Sequence, residues 1–206
     1  MPVRVKICGI TNAADAIAAV DAGADALGFM FFDNSKRFVS PSLAAEIIRE
    51  LPPFVAKVGV FVNASQDFIR LVLETSGIDT LQFHGEESPQ FCGQFGLKVI
   101  KAFRIQSHES LHNALSYRNY AWLLDSYVDG QHGGTGVAFN WDVAVEATKL
   151  TRMVILAGGL KVETVSEAVR KVRPYAVDVS GGVESVPGKK DHAKLREFIA
   201  AAKSVT

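Results

Sequence analysis

Val3-Arg4-Val5-Lys6-Ile7-Cys8-Gly9 lies at the start of the chain, and its alternation decides how everything after it is read. Successive side chains of a strand point to opposite faces, so Val3, Val5 and Ile7 share one face and Arg4, Lys6 and Cys8 the other. The apolar set suits a covering layer of helices, which turns the second set toward the inside of the sheet. Thr80-Leu81-Gln82-Phe83-His84 repeats the arrangement, with Leu81 and Phe83 opposed to Thr80, Gln82 and His84. A sheet that hides helix-facing apolar residues on one side and a polar set on the other points to closure around its own interior.

Working outward, short β-branched runs alternate with Ala-, Leu- and Glu-rich stretches of helical period along the whole chain. The expected strands are Val3 to Cys8, Ala26 to Met30, Ala56 to Phe61, Thr80 to Phe83, Lys98 to Ala102, Ala121 to Asp125, Met153 to Ala157 and Ala176 to Val179. Helices are expected near Ala13 to Ala22, Pro41 to Leu51, Gln66 to Ser76, Pro89 to Gln94, Glu109 to Tyr117, Trp141 to Leu150, Val162 to Val172 and Asp191 to Lys203. Thr11 or Asn12 can cap the first helix, and Ser40-Pro41 supplies a cap followed by a proline in the first turn. The 206 residues divide into strand–helix units of about 26 residues, which predicts an α/β fold: one (β/α)8 barrel domain over residues 1–206. An open doubly wound sheet would also explain the alternation. Such a sheet usually places its phosphate chemistry on the first strand–helix turn, whereas here the glycine pairs come near the end.

Composition narrows the function. Lys and Arg number 22 against 22 Asp and Glu, the formal net charge is zero, and 48% of residues are hydrophobic. That balance fits a soluble globular enzyme and argues against nucleic acid as a partner. No apolar run is long enough to cross a bilayer, so no membrane partner is expected. Two cysteines, Cys8 and Cys92, form no disulfide framework, which makes a reducing cytoplasm the expected location. No Cys/His cluster has ligand spacing, so no metal is expected.

Four strand ends converge on one rim of the predicted barrel, carrying Cys8, His84, Asp125 and Asp178. Active sites of barrels lie at that rim. Gly158-Gly159 follows the seventh strand and Gly181-Gly182 the eighth, where close backbone approach and a helix N-terminus suit a phosphate dianion. Tight turns are the bland alternative. Gly133-Gly134-Thr135-Gly136 falls in the long connection after strand six and reads as a candidate lid. Cys8 is a candidate base or nucleophile rather than a small buried hydrophobe because Asp125 and the phosphate loops share its rim, and Cys92 lacks such company. Asp125 ends the apolar run Trp122-Leu123-Leu124, where desolvation favours the neutral, proton-donating carboxyl. A loop arginine, Arg37, has the planar fork that clamps a carboxylate, and His84 can line the site.

Together these residues resemble the phosphoribosylanthranilate isomerase family of tryptophan biosynthesis. The likeness runs through Val5-Lys6-Ile7-Cys8-Gly9-Ile10-Thr11, Leu81-Gln82-Phe83-His84-Gly85, Leu124-Asp125-Ser126, Leu156-Ala157-Gly158-Gly159-Leu160 and Asp178-Val179-Ser180-Gly181-Gly182-Val183-Glu184. Gly181 departs from the serine expected there and Phe83 from the common leucine. The resemblance implies an Amadori rearrangement of N-(5-phosphoribosyl)anthranilate without a cofactor, in a monomer. It assigns Asp125 as acid and Cys8 as base, Arg37 to the anthranilate carboxylate, and Gly158, Gly159, Gly182 and Val183 to the phosphate. His84 and Asp178 are further contacts. Two other readings stay open at this point: another phosphosugar enzyme, including a Schiff-base lyase using Lys6 or Lys101, and a silent binding module.

Overall fold

The computed structural model describes residues 2–105, 110–126 and 141–205. Eight parallel strands close into a barrel: β1 (Arg4–Cys8), β2 (Ala26–Met30), β3 (Ala56–Phe61), β4 (Thr80–Phe83), β5 (Lys98–Ile105), β6 (Ala121–Ser126), β7 (Val154–Leu156) and β8 (Ala176–Val179). β8 returns to β1 in register, with Ile7 opposite Val179, and Cys8 lies opposite Gly28 of β2. That closure excludes the open doubly wound sheet. The helices are α1 (Ala13–Asp21), α2 (Pro41–Arg49), α3 (Gln66–Ser76), α4 (Pro89–Gly93), α5 (Ser110–Ala114), α6 (Trp141–Leu150), α7 (Val162–Val172) and α8 (His192–Lys203).

The alternation read from β1 holds around the barrel. Val5, Ile7, Leu81, Phe83, Trp122 and Leu124 belong to the large apolar layer shared with the helices. The smaller interior layer is made of Val58, Ile100, Ala102, Leu123, Ile155, Ala157 and Ala176. Alanines and branched aliphatic side chains fill the narrow tube, and the aromatics go outside, among the helices. Phe31, Phe61 and Phe83 form one such outer run, with ring centroids 5.4 and 6.3 Å apart.

Local chemistry starts the helices. Asn12 caps α1 by accepting from the Asp15 N–H at 2.9 Å, while the Thr11 hydroxyl is spent on the Gly188 carbonyl. Ser40 caps α2 from the Leu43 N–H at 3.2 Å, with Pro41 in the first turn. Two features lie beyond the expected elements. β5 continues to Ile105, three residues past the expected end, and brings Arg104 to the rim. A 3-10 turn at Gly181–Val183 runs into a hairpin of β9 (Glu184–Val186) and β10 (Lys189–Lys190) that turns at Pro187-Gly188. Gly188 sits at φ 86°, the left-handed conformation that a Pro-Gly turn demands of its second residue.

Candidate active site

A cavity of about 640 Å³ opens at the C-terminal ends of the strands. Cys8, Arg37, His84, Asp125, Asp178 and the loops carrying Gly158-Gly159 and Gly181-Gly182 all line it. Its size suits a phosphorylated sugar bearing one aromatic ring. Val183 is not in that wall. Its side chain is buried in the core, and its N–H donates to the Ser180 carbonyl at 3.4 Å within the 3-10 turn. The Gly133-Gly134-Thr135-Gly136 segment lies outside the described residues.

Cys8 ends β1 pointing inward, and Gly28 on the adjacent strand makes room for it. A β-carbon at position 28 would come within 2.9 Å of Cys8 Sγ and 3.1 Å of Lys6 Nζ. Thiol and ammonium therefore meet over the same vacant spot. Lys6 also donates to Asp178 Oδ1 at 2.8 Å, so Asp178 faces the cavity already paired. Burial pushes the Cys8 thiol above its usual range; Asp178 adds to that rise, while Lys6 and Lys190 oppose it. Burial outweighs the two ammoniums, which is the opposite of the tuning a thiolate base needs. Burial pushes Cys92 up to about 11, and it lies away from the cavity wall.

Asp125 is the penultimate residue of β6 and is 7% exposed. His84 Nε2 stands 3.4 Å from its Oδ2, and the Gln82 side-chain amide lies 3.1 Å from His84 Nδ1. An amide nitrogen only donates, so Nδ1 accepts and the imidazole presents its Nε2 hydrogen to Asp125. Gln82 thus fixes which face of His84 meets the acid.

Arg37, on the β2–α2 connection, holds Glu184 with two parallel bonds, Nε to Oε1 at 2.8 Å and Nη2 to Oε2 at 2.6 Å. Three guanidinium hydrogens remain for an incoming carboxylate. Gly158 and Gly159 take φ values of 81° and 71°, a left-handed pair that brings the backbone to the cavity ahead of the α7 N-terminus. A helix start there is a ready anion site. At Gly182 a β-carbon would collide with the Leu160 carbonyl, so glycine lets the two loops after β7 and β8 touch.

A family model for N-(5'-phosphoribosyl)anthranilate (PRA) isomerase matches residues 5–201. The chain belongs to that family. It is 55% identical over 202 residues to an N-(5'-phosphoribosyl)anthranilate isomerase of Citrifermentans bemidjiense, covering 98% of both proteins. The crystal structure of phosphoribosyl anthranilate isomerase from Thermotoga maritima superposes with a TM-score of 0.93 at 44% identity, covering 98% of each chain. A structure of a phosphoribosyl anthranilate isomerase in complex with reduced 1-(o-carboxyphenylamino)-1-deoxyribulose 5-phosphate superposes with a TM-score of 0.89, at the same identity and coverage.

Sequence reasoning passed over Arg104 and Lys190. Arg104 would have followed from extending the inward set Ile100 and Ala102 by one more step of two. Lys101, a Schiff-base candidate, points away from this cavity and is held by Glu87 Oε2 at 3.1 Å.

Proposed function

We propose that the chain converts N-(5-phosphoribosyl)anthranilate to 1-(2-carboxyphenylamino)-1-deoxyribulose 5-phosphate, as a single catalytic domain, with Cys8 and Asp125 as its proton-transfer pair. The observation that carries this reading is that both side chains open onto one cavity whose wall also holds Arg37 and the paired glycines. A substrate anionic at both ends then has a place for each anion and one acid and one base between them.

Asp125 gives its proton to the furanose ring oxygen, the bond from that oxygen to C1 breaks, and the nitrogen lone pair closes a Schiff base. Cys8 as thiolate takes the proton from C2, and the electrons move through C1 to neutralise the nitrogen. The resulting enolamine takes a proton at C1 and loses one from its C2 hydroxyl to give the ketone. Bonds and protons balance without a redox partner. Arg37 holds the anthranilate carboxylate through the donors that Glu184 leaves. Gly158, Gly159 and Gly182 receive the phosphate, and Val183 contributes by closing the 3-10 turn. His84 and Asp178 are contacts along the sugar, with Asp178 already neutralised by Lys6.

Cytoplasmic location is supported by two free, buried cysteines. No described helix is long and apolar enough to cross a membrane. The monomeric state is part of the same proposal. Phe54, 98% exposed, and the exposed Leu97, Met153 and Tyr175 precede strands at the opposite end of the barrel. Self-association there would leave the cavity open, and sedimentation equilibrium distinguishes the two states.

The test follows the fluorescence of phosphoribosylanthranilate generated in situ. Wild type is expected to consume it rapidly, and Cys8→Ala and Asp125→Asn each to lose at least about a hundredfold. Consumption surviving one change would move that role to another residue. Binding without consumption by wild type would leave a binding module.

A further inference from the structure

Lys190 is a lysine with no exposed side-chain surface, deep behind the cavity, and its three ammonium hydrogens have three acceptors. It donates to the Cys8 carbonyl at 2.6 Å, the Ser180 carbonyl at 3.3 Å and Glu184 Oε1 at 2.8 Å. Each acceptor belongs to a different working part. Cys8 carries the proposed base. Ser180 leads into Gly181-Gly182, the phosphate loop, and Glu184 grips the Arg37 guanidinium from behind. β10 itself is fastened to α1, because the Lys190 N–H donates to Asp15 Oδ2 at 2.8 Å, and Asp15 is buried and further held by His192 at 2.8 Å.

Burying an ammonium is costly unless every hydrogen is used, and an apolar residue would fill the same space without that cost. A surface tether needs no such group either. What an ammonium supplies here is simultaneous, directional attachment of the end of β1 to two points of the segment that follows β8, Ser180 and Glu184. Resting on the isomerase reading above, we propose that Lys190 is a positioning residue that locks the base, the phosphate loop and, through Glu184, the carboxylate clamp into one frame. Glu184 is the link between lysine and clamp, taking Lys190 on Oε1 and the Arg37 guanidinium on both oxygens.

The two roles separate experimentally. Lys190→Met, Glu184→Gln and the double variant are compared with wild type in turnover and in calorimetric binding of inorganic phosphate and of anthranilate. Because displacing a reacting group by about 1 Å costs on the order of a hundredfold, Lys190→Met should lose about that factor in kcat and weaken both ligands. Glu184→Gln should weaken anthranilate and leave phosphate within about threefold of wild type. The double variant should be no worse than Lys190→Met, since the groups act as one unit. If Lys190→Met fails to fold, the double variant, which also removes the carboxylate charge that faced Lys190, gives the same readings. A folded variant lacking Lys190 that keeps kcat and both affinities within about threefold, or loses melting temperature alone, overturns the proposal. Wild type that binds both ligands without turnover would instead defeat the isomerase reading, and the binding pattern would still judge Lys190.

Discussion

On the β8–β1 side of the cavity the charged groups are neutralised by other charges, whereas on the β4–β6 side the polar groups are held by hydrogen bonds and looser contacts. The first wall has Lys6 on Asp178 at 2.8 Å and Lys190 and Arg37 sharing Glu184. The second has Gln82 on His84 at 3.1 Å and His84 on Asp125 at 3.4 Å. The difference matches the tasks assigned to the two walls. A thiol must give up a proton in a dry place, which calls for fixed positive charge around it. A carboxyl that donates and regains a proton needs neighbours that tolerate both of its states, and an imidazole, whose ring nitrogens can donate or accept, is such a neighbour.

The sharpest way to break this comparison is to remove one member from each wall. Lys6→Met strands the Asp178 carboxylate beside a nearly closed interior, and losing one partner of a buried pair costs about 3 to 5 kcal/mol. Lys6→Met/Asp178→Leu should recover most of that. Gln82→Leu on the opposite wall removes one neutral hydrogen bond and should cost about 1 kcal/mol. Urea unfolding midpoints check all three, and equal losses from the two walls would erase the distinction.

A second expectation concerns which force governs the thiol. Burial raises Cys8, Asp178 raises it further, and Lys6 and Lys190 pull it back without winning. In the proposed reaction the thiolate is the reacting form, so log kcat/KM should climb with pH and go on climbing past the usual thiol range. Stopped-flow fluorescence from about pH 6 to about pH 10 reads that limb, and Cys8→Ser should abolish it. A plateau below the usual thiol range would mean that the ammoniums prevail over burial, and that the first wall is more strongly activating than its geometry indicates.

How far the site could be read from sequence follows the same division. Period-two alternation placed Cys8, Gln82 and His84 inward because a strand leaves no other choice once one face is apolar, and position at the end of a strand brought Asp125 and Asp178 to the same rim. The paired glycines were found from their placement after the seventh and eighth strands, and Arg37 gained a role only through the family resemblance, since an arginine in a loop is ordinary. Lys190 was not, because the local signals around Lys189-Lys190-Asp191 do not separate a lysine of an exposed helix approach from one sealed behind Cys8. Its decisive partners, Asp15 and the Cys8 carbonyl, are distant in sequence, and only Ser180 and Glu184 lie within ten residues of it. The hairpin that carries it has strands of three and two residues, too short to show any period, and only Pro187-Gly188 marked a turn there. Val183 has its side chain in the core and its N–H on the Ser180 carbonyl, which sequence also does not show. A motif gives the order of residues but not which N–H the 3-10 turn consumes.

The smallest effect expected belongs to Gly181, where the chain departs from the serine of the resemblance. Unlike Gly182, this glycine needs neither a left-handed backbone nor a missing β-carbon: a β-carbon there would meet Arg37 Nη2 at 3.5 Å and Glu184 Oε2 at 4.0 Å, which are ordinary contacts. Gly181→Ser should therefore leave stability within about 0.5 kcal/mol, as for a substitution that fills open space. Its hydroxyl would lie beside the Arg37–Glu184 pair, so any change should appear in KM rather than kcat, and stay within about threefold. Thermal melting and steady-state kinetics of the single variant check both statements. A large kcat loss would show that the loop after β8 depends on glycine at both positions, which would tie the first wall's rigidity to its backbone as well as to its charges.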